Sequence, residues 1–162
     1  MPRADEFPAL APRRGAPAQR QGGSFQRILV AVDPFGRSNA ALAAAIQVGD
    51  KASGQLRLIH VRTWDPPGRF FFETFAEATS VLDGALAGAW ARGAPASGVV
   101  VDAPRTQIAA VIASEADRWA ADVIVLVRRR RTALGILLRG SVSEQVMRRA
   151  ASPVLVVHRS KQ

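Results

Sequence analysis

The sequence predicts an α/β domain: an open, mostly parallel five-stranded sheet with helices packed on both of its faces. Two observations carry this. Short apolar runs of strand length alternate with longer segments of helical period. The first strand, helix and second strand also follow one another within about 35 residues, as a right-handed βαβ unit requires. A chain of 162 residues is long enough to enclose one hydrophobic core. With 48% hydrophobic and 22% charged residues, its composition is that of a folded protein.

Residues 1–24, MPRADEFPALAPRRGAPAQRQGGS, are rich in Pro, Ala, Gly and Arg without a usable period. They read as a flexible tail, leaving 25–160 as the domain. RILVAV, residues 27–32, has the length and continuous apolarity of a strand buried on both faces. Asp33-Pro34-Phe35-Gly36 ends it, and Ser38 is placed to cap an alanine-rich helix over 39–52. Ser53-Gly54 stops that helix, and 55–61 supplies the second strand. Pro66, Pro67 and Gly68 make 63–69 a loop. A helix then covers 72–91, with Phe70, Phe71, Phe72 and Phe75 at its start and expected to pack on the sheet; exposed, they would call for a partner.

The third strand is expected at 99–101 and the third helix at 106–119, where Ile108, Val111, Ile112 and Trp119 form an inward stripe that leaves Glu115 aside. Asp122 introduces a fourth strand over 123–127. The arginine loop follows, then a fourth helix over 141–150 and a fifth strand over 153–157. The fifth strand reads as a sheet edge, an apolar pairing surface through which Val154 and Val156 would join two copies into a homodimer.

Composition also excludes. The chain has no cysteine, hence no disulfide and no thiolate nucleophile or metal ligand. No apolar run reaches the roughly 18–20 residues that cross a bilayer, and the default expectation is a soluble cytoplasmic protein with no membrane partner. His60 lies within a strand and reads as a core or interface histidine, while His158 follows the last strand. Neither sits in a local triad pattern, and no His/Asp/Glu spacing indicates a metal, so an enzyme is not expected.

The net charge of +9 is concentrated at one end. Residues 123–162 hold nine basic groups against Glu144 alone, a balance of +8. Arg128 to Arg131 lie just beyond the fourth strand, at the carboxyl edge where open α/β sheets keep ligands. They read as a solvated loop, with two alternatives. One is capture of a phosphate-rich ligand by the guanidinium donors. The other is salt-sensitive contact with nucleic acid or an acidic protein surface. Ser141 with Glu144 three residues on makes a capping box, and the helix start Gly140-Ser141-Val142-Ser143 offers main-chain donors to a phosphate.

RILVAVD, LIHV, ADVIVLV and RGSVSEQVMRRAASPVLVVHR, in that order over about residues 26–159, resemble the universal stress protein family. The resemblance implies a Rossmann-like sheet of the adenine nucleotide alpha hydrolase-like kind, strand order 3-2-1-4-5, and dimers that use the last strand. It implies an adenine nucleotide near Val32, Asp33 and Val61, Asp33 being otherwise the cap of the turn that follows. It also implies phosphates at a loop whose three family glycines and Ser/Thr fall here on Val127, Arg130, Gly140 and Ser141. Gly140 and Ser141 keep that pattern; Val127 and Arg130 break it. The expectation is therefore a regulatory or interaction protein, non-catalytic and without ordinary ATP binding or any cofactor. The alternative is an adenine-nucleotide binder, with or without magnesium, that holds phosphates through Gly140, Ser141, Arg129, Arg130 and Arg131.

Overall fold

Period-two alternation sorts the side chains of each strand onto two faces, and the first strand shows it most plainly. In β1 (Arg27–Val32), Ile28, Val30 and Val32 turn to one side and Leu29 to the other, with Ile28, Leu29 and Val30 wholly excluded from solvent. Burial on both faces is what a central parallel strand requires. The computed structural model describes residues 25–33, 38–127 and 142–157. Its further elements, in chain order, are α1 (Ser38–Val48), β2 (Gln55–Asp65), β3 (Phe70–Phe71), α2 (Phe75–Trp90), β4 (Ala96–Pro104), a 3-10 turn (Arg105–Gln107), α3 (Ile108–Trp119), β5 (Val123–Val127), α4 (Val142–Arg149) and β6 (Val154–Val157).

β1 pairs in parallel with β2 and with β5, β2 with β4, and β5 with β6. The five long strands therefore lie in the row β4-β2-β1-β5-β6, the expected neighbours. The difference is β3, which pairs antiparallel with the end of β2, Trp64 opposite Phe71 and Asp65 opposite Phe70. The sheet is six-stranded and mixed, where the sequence predicts five strands.

Helices cover both faces. Alanines of α1 (Ala41, Ala45) and α2 (Ala78, Ala85, Ala89), with Leu42, Leu82 and Leu86, are buried, most of them against Ile28, Val30, Leu56, Leu58, Val123 and Val125. On the other face Ala109, Ile112 and Ala116 of α3 and Val146 of α4 meet Leu29, Ile59, Ile124 and Leu126. Each fully buried Leu or Ile contributes about 1.5–3 kcal/mol of transfer free energy. Close approach is built in at Gly98 of β4, where an added Cβ would stand 2.8 Å from Leu82 Cδ1.

The third strand is longer than expected, β4 covering Ala96–Pro104 and not only 99–101, because it pairs along β2 from Leu56 to Trp64. Four further boundaries differ, each for a local reason. Helix α1 stops at Val48, not 52, because Asp50 Oδ1 accepts the N–H groups of Ala52 and Ser53 and turns the chain. Ser38 is not its cap: it is the first helical residue, buried, its hydroxyl placed to accept from the Asp33 N–H and to donate to the Asp33 carbonyl, both at 3.3 Å. Strand β2 runs to Asp65, through what reads as a loop, because β4 continues beside it and pairs Arg62 with Asp102, Thr63 with Ala103 and Trp64 with Pro104. Helix α2 starts at Phe75, because Thr74 and Glu77 form a reciprocal capping box.

Glu115 is also misplaced by the periodicity. It is 5% exposed, and its two oxygens accept from Arg57 Nε at 3.0 Å and Arg118 Nε at 2.9 Å. A carboxylate with two guanidinium partners satisfies its lone pairs and can share a face with Ile112.

Helix α3 ends on Ala120, which sits in the left-handed region at φ 53. Glycine takes that conformation without the Cβ clash. Ala120→Gly is expected to raise the unfolding free energy by about 0.5–1 kcal/mol in urea titration.

Candidate functional site

Because the five long strands are parallel, their carboxyl ends share one edge, and the connections reverse direction between β1 and β5. That is the switch point at which open α/β sheets hold ligands. Val32 and Asp33 end β1 there, and Val127 ends β5. The structure thus brings four of the candidate residues, Val32, Asp33, Val61 and Val127, to one edge. Val127 packs partly against the α1–α2 core, so some of the bulk standing where the family has glycine is taken up inside the protein. Val142 and Ser143 open α4, Val142 half-buried and Ser143 at 6% exposure. Arg128 to Arg131, Gly140 and Ser141 lie outside the described residues, as do the tail 1–24 and His158.

The edge of β2 facing β1 has a gap. β1 pairs along it as far as His60, and β3 pairs with it from Trp64. β4 occupies the opposite edge of β2 through Trp64, so β3 stands in the row of β1, beyond its end. Phe72 N–H donates to the Thr63 carbonyl at 3.2 Å. Among the described residues, Val61 and Arg62 therefore have no strand partner on this side. Val61, in phase with Thr63, turns its N–H and C=O to this side between Asp33 and the β3 hairpin, one donor and one acceptor of the kind the edge of a planar base requires, while the main chain of Arg62 faces β4.

Beside the gap, His60 is 2% exposed. Its Nδ1 lies 3.1 Å from the Val32 carbonyl, and its Nε2 lies 2.8 Å from Glu73 Oε1. A carbonyl only accepts, so the ring is the donor at Nδ1, and the Glu73 carboxyl is its hydrogen-bond partner at Nε2. The ring clamps the hairpin to the end of β1. This agrees with a core role for His60, and it adds Glu73, for which no sequence signal exists because the partners are thirteen residues apart across a turn.

The hairpin is braced by arginine. Arg62 donates to both oxygens of Asp102, Nε at 2.7 Å and Nη2 at 2.5 Å, and its guanidinium lies 4.0 Å from the Phe71 ring centroid. Arg105 forms a paired bridge with Asp65 and lies 4.4 Å from the Phe72 ring. The Arg62 hydrogen bonds hold the Asp102 carboxyl below its ordinary pKa, and the Thr74 backbone N–H does the same for Glu77. Groups depressed on folding stabilise above their unfolded pKa and lose that contribution as pH falls through the folded one. Acidification below about pH 4 is therefore expected to speed amide hydrogen exchange at 62–77 before the sheet centre responds.

On the α1–α2 side, Asp33 also forms one wall of a cleft of about 320 Å³. Ser38 and Asn39 of α1 and Ser80, Val81, Gly84 and Ala85 of α2 complete its lining. The volume is at the lower end for small-molecule sites. No group of three or more His, Cys, Asp or Glu suited to a metal is present among the described residues. None of the described helices is long and apolar enough to cross a membrane.

A mostly parallel sheet with helices on both faces, whose switch-point edge gathers a strand-end aspartate, a main-chain segment without a strand partner among the described residues and a helix start, defines the open, doubly wound class of α/β domain. Within that class, the chain belongs to the universal stress protein family, whose sequence profile matches residues 24–158. A universal stress protein from Archaeoglobus fulgidus is 26% identical, with TM-score 0.66, over 81% of this chain and 97% of the other. A universal stress protein in complex with cAMP is 25% identical, with TM-score 0.63, over 85% and 99%. The universal stress protein from Archaeoglobus fulgidus in complex with dAMP is 25% identical, with TM-score 0.59, over 81% and 96%. No curated protein sequence matches the chain.

Proposed function

We propose that this chain is a regulatory protein of the universal stress type that binds an adenine mononucleotide at the carboxyl edge of β1, β2 and β5. The observation that carries the reading is the ligand in two related structures at 25% identity, cAMP in one and dAMP in the other. This reverses the order in which the sequence ranks the two readings, because nucleotide binding now has the better support.

The geometry supports it in two ways. The N–H and C=O of Val61 in the gap suit the hydrogen-bonding edge of adenine, and Asp33 at the end of β1 would meet a ribose hydroxyl. A monophosphate also asks less of the loop than a triphosphate does. Gly140 and Ser141 keep the part of the phosphate pattern next to α4, while Val127 and Arg130 depart from the glycines of a triphosphate cradle. Arg129, Arg130 and Arg131 offer guanidinium donors in place of the missing main-chain approach. No step of this binding calls for magnesium.

Calorimetric titration with AMP, cAMP and ATP tests the reading. Expected is micromolar binding of AMP or cAMP, about −8 kcal/mol, with ATP at least about tenfold weaker and binding lost in Gly140→Val with Arg130→Ala. Heat from none of the three would return the protein to the reading without a nucleotide.

A homodimer through β6 belongs to the same proposal. Among the described strands β6 pairs only with β5, and Val154 and Val156 are half-buried. Val156→Lys is expected to remove this contact, read by sedimentation.

A further inference from the structure

The four phenylalanines after the proline loop do not all pack on the sheet, as the sequence leads one to expect. Phe71 is half-buried under Arg62, but Phe70 is 71% exposed, Phe72 53% and Phe75 60%. The reason is the hairpin: β3 is only two residues long, and the capping box starts α2 late, so both flanking rings and the first helical ring are left outside. Phe70 and Phe72 meet edge to face at 6.1 Å. Three such rings leave on the order of 350 Å² of aromatic surface in water. That is a patch of the size that marks an interaction site.

The surroundings of the rings restrict the partner. Arg62, Arg69 and Arg105 each lay a guanidinium over an aromatic ring, on Phe71, Trp64 and Phe72 respectively. Two of the three are neutralised by Asp102 and Asp65, and Glu73 and Glu77 stand at the margin of the patch. A nucleic acid or an acidic protein would need surplus positive charge, and this face offers none. Yet the whole chain carries +9, so two copies repel one another over most approaches. They can meet where charges balance, and a two-fold contact requires a patch that complements itself. This patch has rings for an apolar centre and arginine–aspartate pairs for a rim, the composition that dominates binding energy at protein interfaces.

Backbone strain points the same way. Arg69 is held at φ 54, after Gly68 at φ 93, a conformation that costs a non-glycine residue about 1–2 kcal/mol. The turn keeps a long cation there, over Trp64, in place of the glycine that would relieve the cost.

We infer that the face formed by Phe70, Phe72 and Phe75 with Arg62, Arg69 and Arg105 is a homotypic interface, where a second copy of this chain docks. It is separate from the β6 edge: β2 and β6 are separated in the sheet by β1 and β5. Its rings account for under half of the roughly 800 Å² per partner in a stable interface, and the arginine–aspartate rim supplies further area. A chain with both surfaces assembles beyond a dimer.

Sedimentation velocity of the full chain across a range of concentrations tests this, comparing wild type with Phe70→Asp/Phe72→Asp, Val156→Lys and the combination of all three. The wild type is expected to form larger species than either partial variant, and the combination to be monomeric. Phe70→Ala, which removes one exposed ring without adding charge, is expected to weaken association about tenfold. Circular dichroism of each variant confirms that the fold is retained. A wild type that is monomeric throughout would overturn the inference. So would one whose assembly is abolished by Val156→Lys and untouched by the phenylalanine substitutions, the outcome expected if the patch serves a different protein.

Discussion

His60→Ala is expected to lower the unfolding free energy by about 2–4 kcal/mol, the largest loss among the polar residues of the domain. Three costs combine. The ring is 2% exposed, so its removal leaves a cavity in a close-packed region. The Val32 carbonyl loses its donor, and Glu73, whose side chain is 15% exposed, loses the partner that offsets its partial burial. Glu73→Ala removes only the last of these and is expected to cost about 1–2 kcal/mol. Glu73→Gln is expected to cost less still, since an amide can donate to a bare Nε2. In a double-mutant cycle by urea titration, His60→Ala and Glu73→Ala should be non-additive by at least about 0.5 kcal/mol. Additive effects would mean that the clamp does not exist in solution.

Asp33→Ala is expected to weaken AMP binding about 10–100-fold, the equivalent of about 1.4–2.7 kcal/mol. A charge-assisted hydrogen bond to a sugar hydroxyl has this size, and Asp33 is the carboxylate at the end of β1 on the switch-point edge. Its main-chain bonds to the Ser38 hydroxyl do not depend on its side chain. Asp33→Asn keeps the shape and one acceptor but loses the charge, and should fall between the two. Unchanged affinity in Asp33→Ala, by calorimetry, would place the ribose elsewhere.

The sheet was legible in the sequence because its strands are buried on both faces and therefore read as unbroken apolar runs: Ile28 to Val30 and Val123 to Leu126 have no other comfortable place. The order of the five long strands followed from the family resemblance. What escaped has a physical explanation in each case. β2 continues past Val61 with Arg62 and Thr63, polar residues acceptable only because Asp102 on β4 pairs with the arginine. Glu115 looks like a break in an apolar stripe, and two arginines, one of them from β2, make its burial tolerable. The Thr74–Glu77 capping box was written in the sequence as T-x-x-E, but the phenylalanine run ahead of it invited an earlier helix start. The exposed rings could not be foreseen from composition, since a hairpin of two paired residues decides which way they face.

At the site itself, Asp33, Val61 and Val127, taken from the family resemblance, lie at one edge of the sheet because they fall at or beyond the carboxyl ends of parallel strands. The gap at Val61–Arg62 was not readable, because it depends on β3 occupying the row of β1. In the proposed function that gap would meet the base with main chain, which among the described residues has no strand partner between the end of β1 and the start of the β3 hairpin. Amide chemical-shift mapping during titration with AMP tests this most directly. The account predicts the largest perturbation at Val61, with Asp33 and Val127 following, and saturation at one equivalent. Saturable binding that leaves the amide of Val61 unmoved would contradict it.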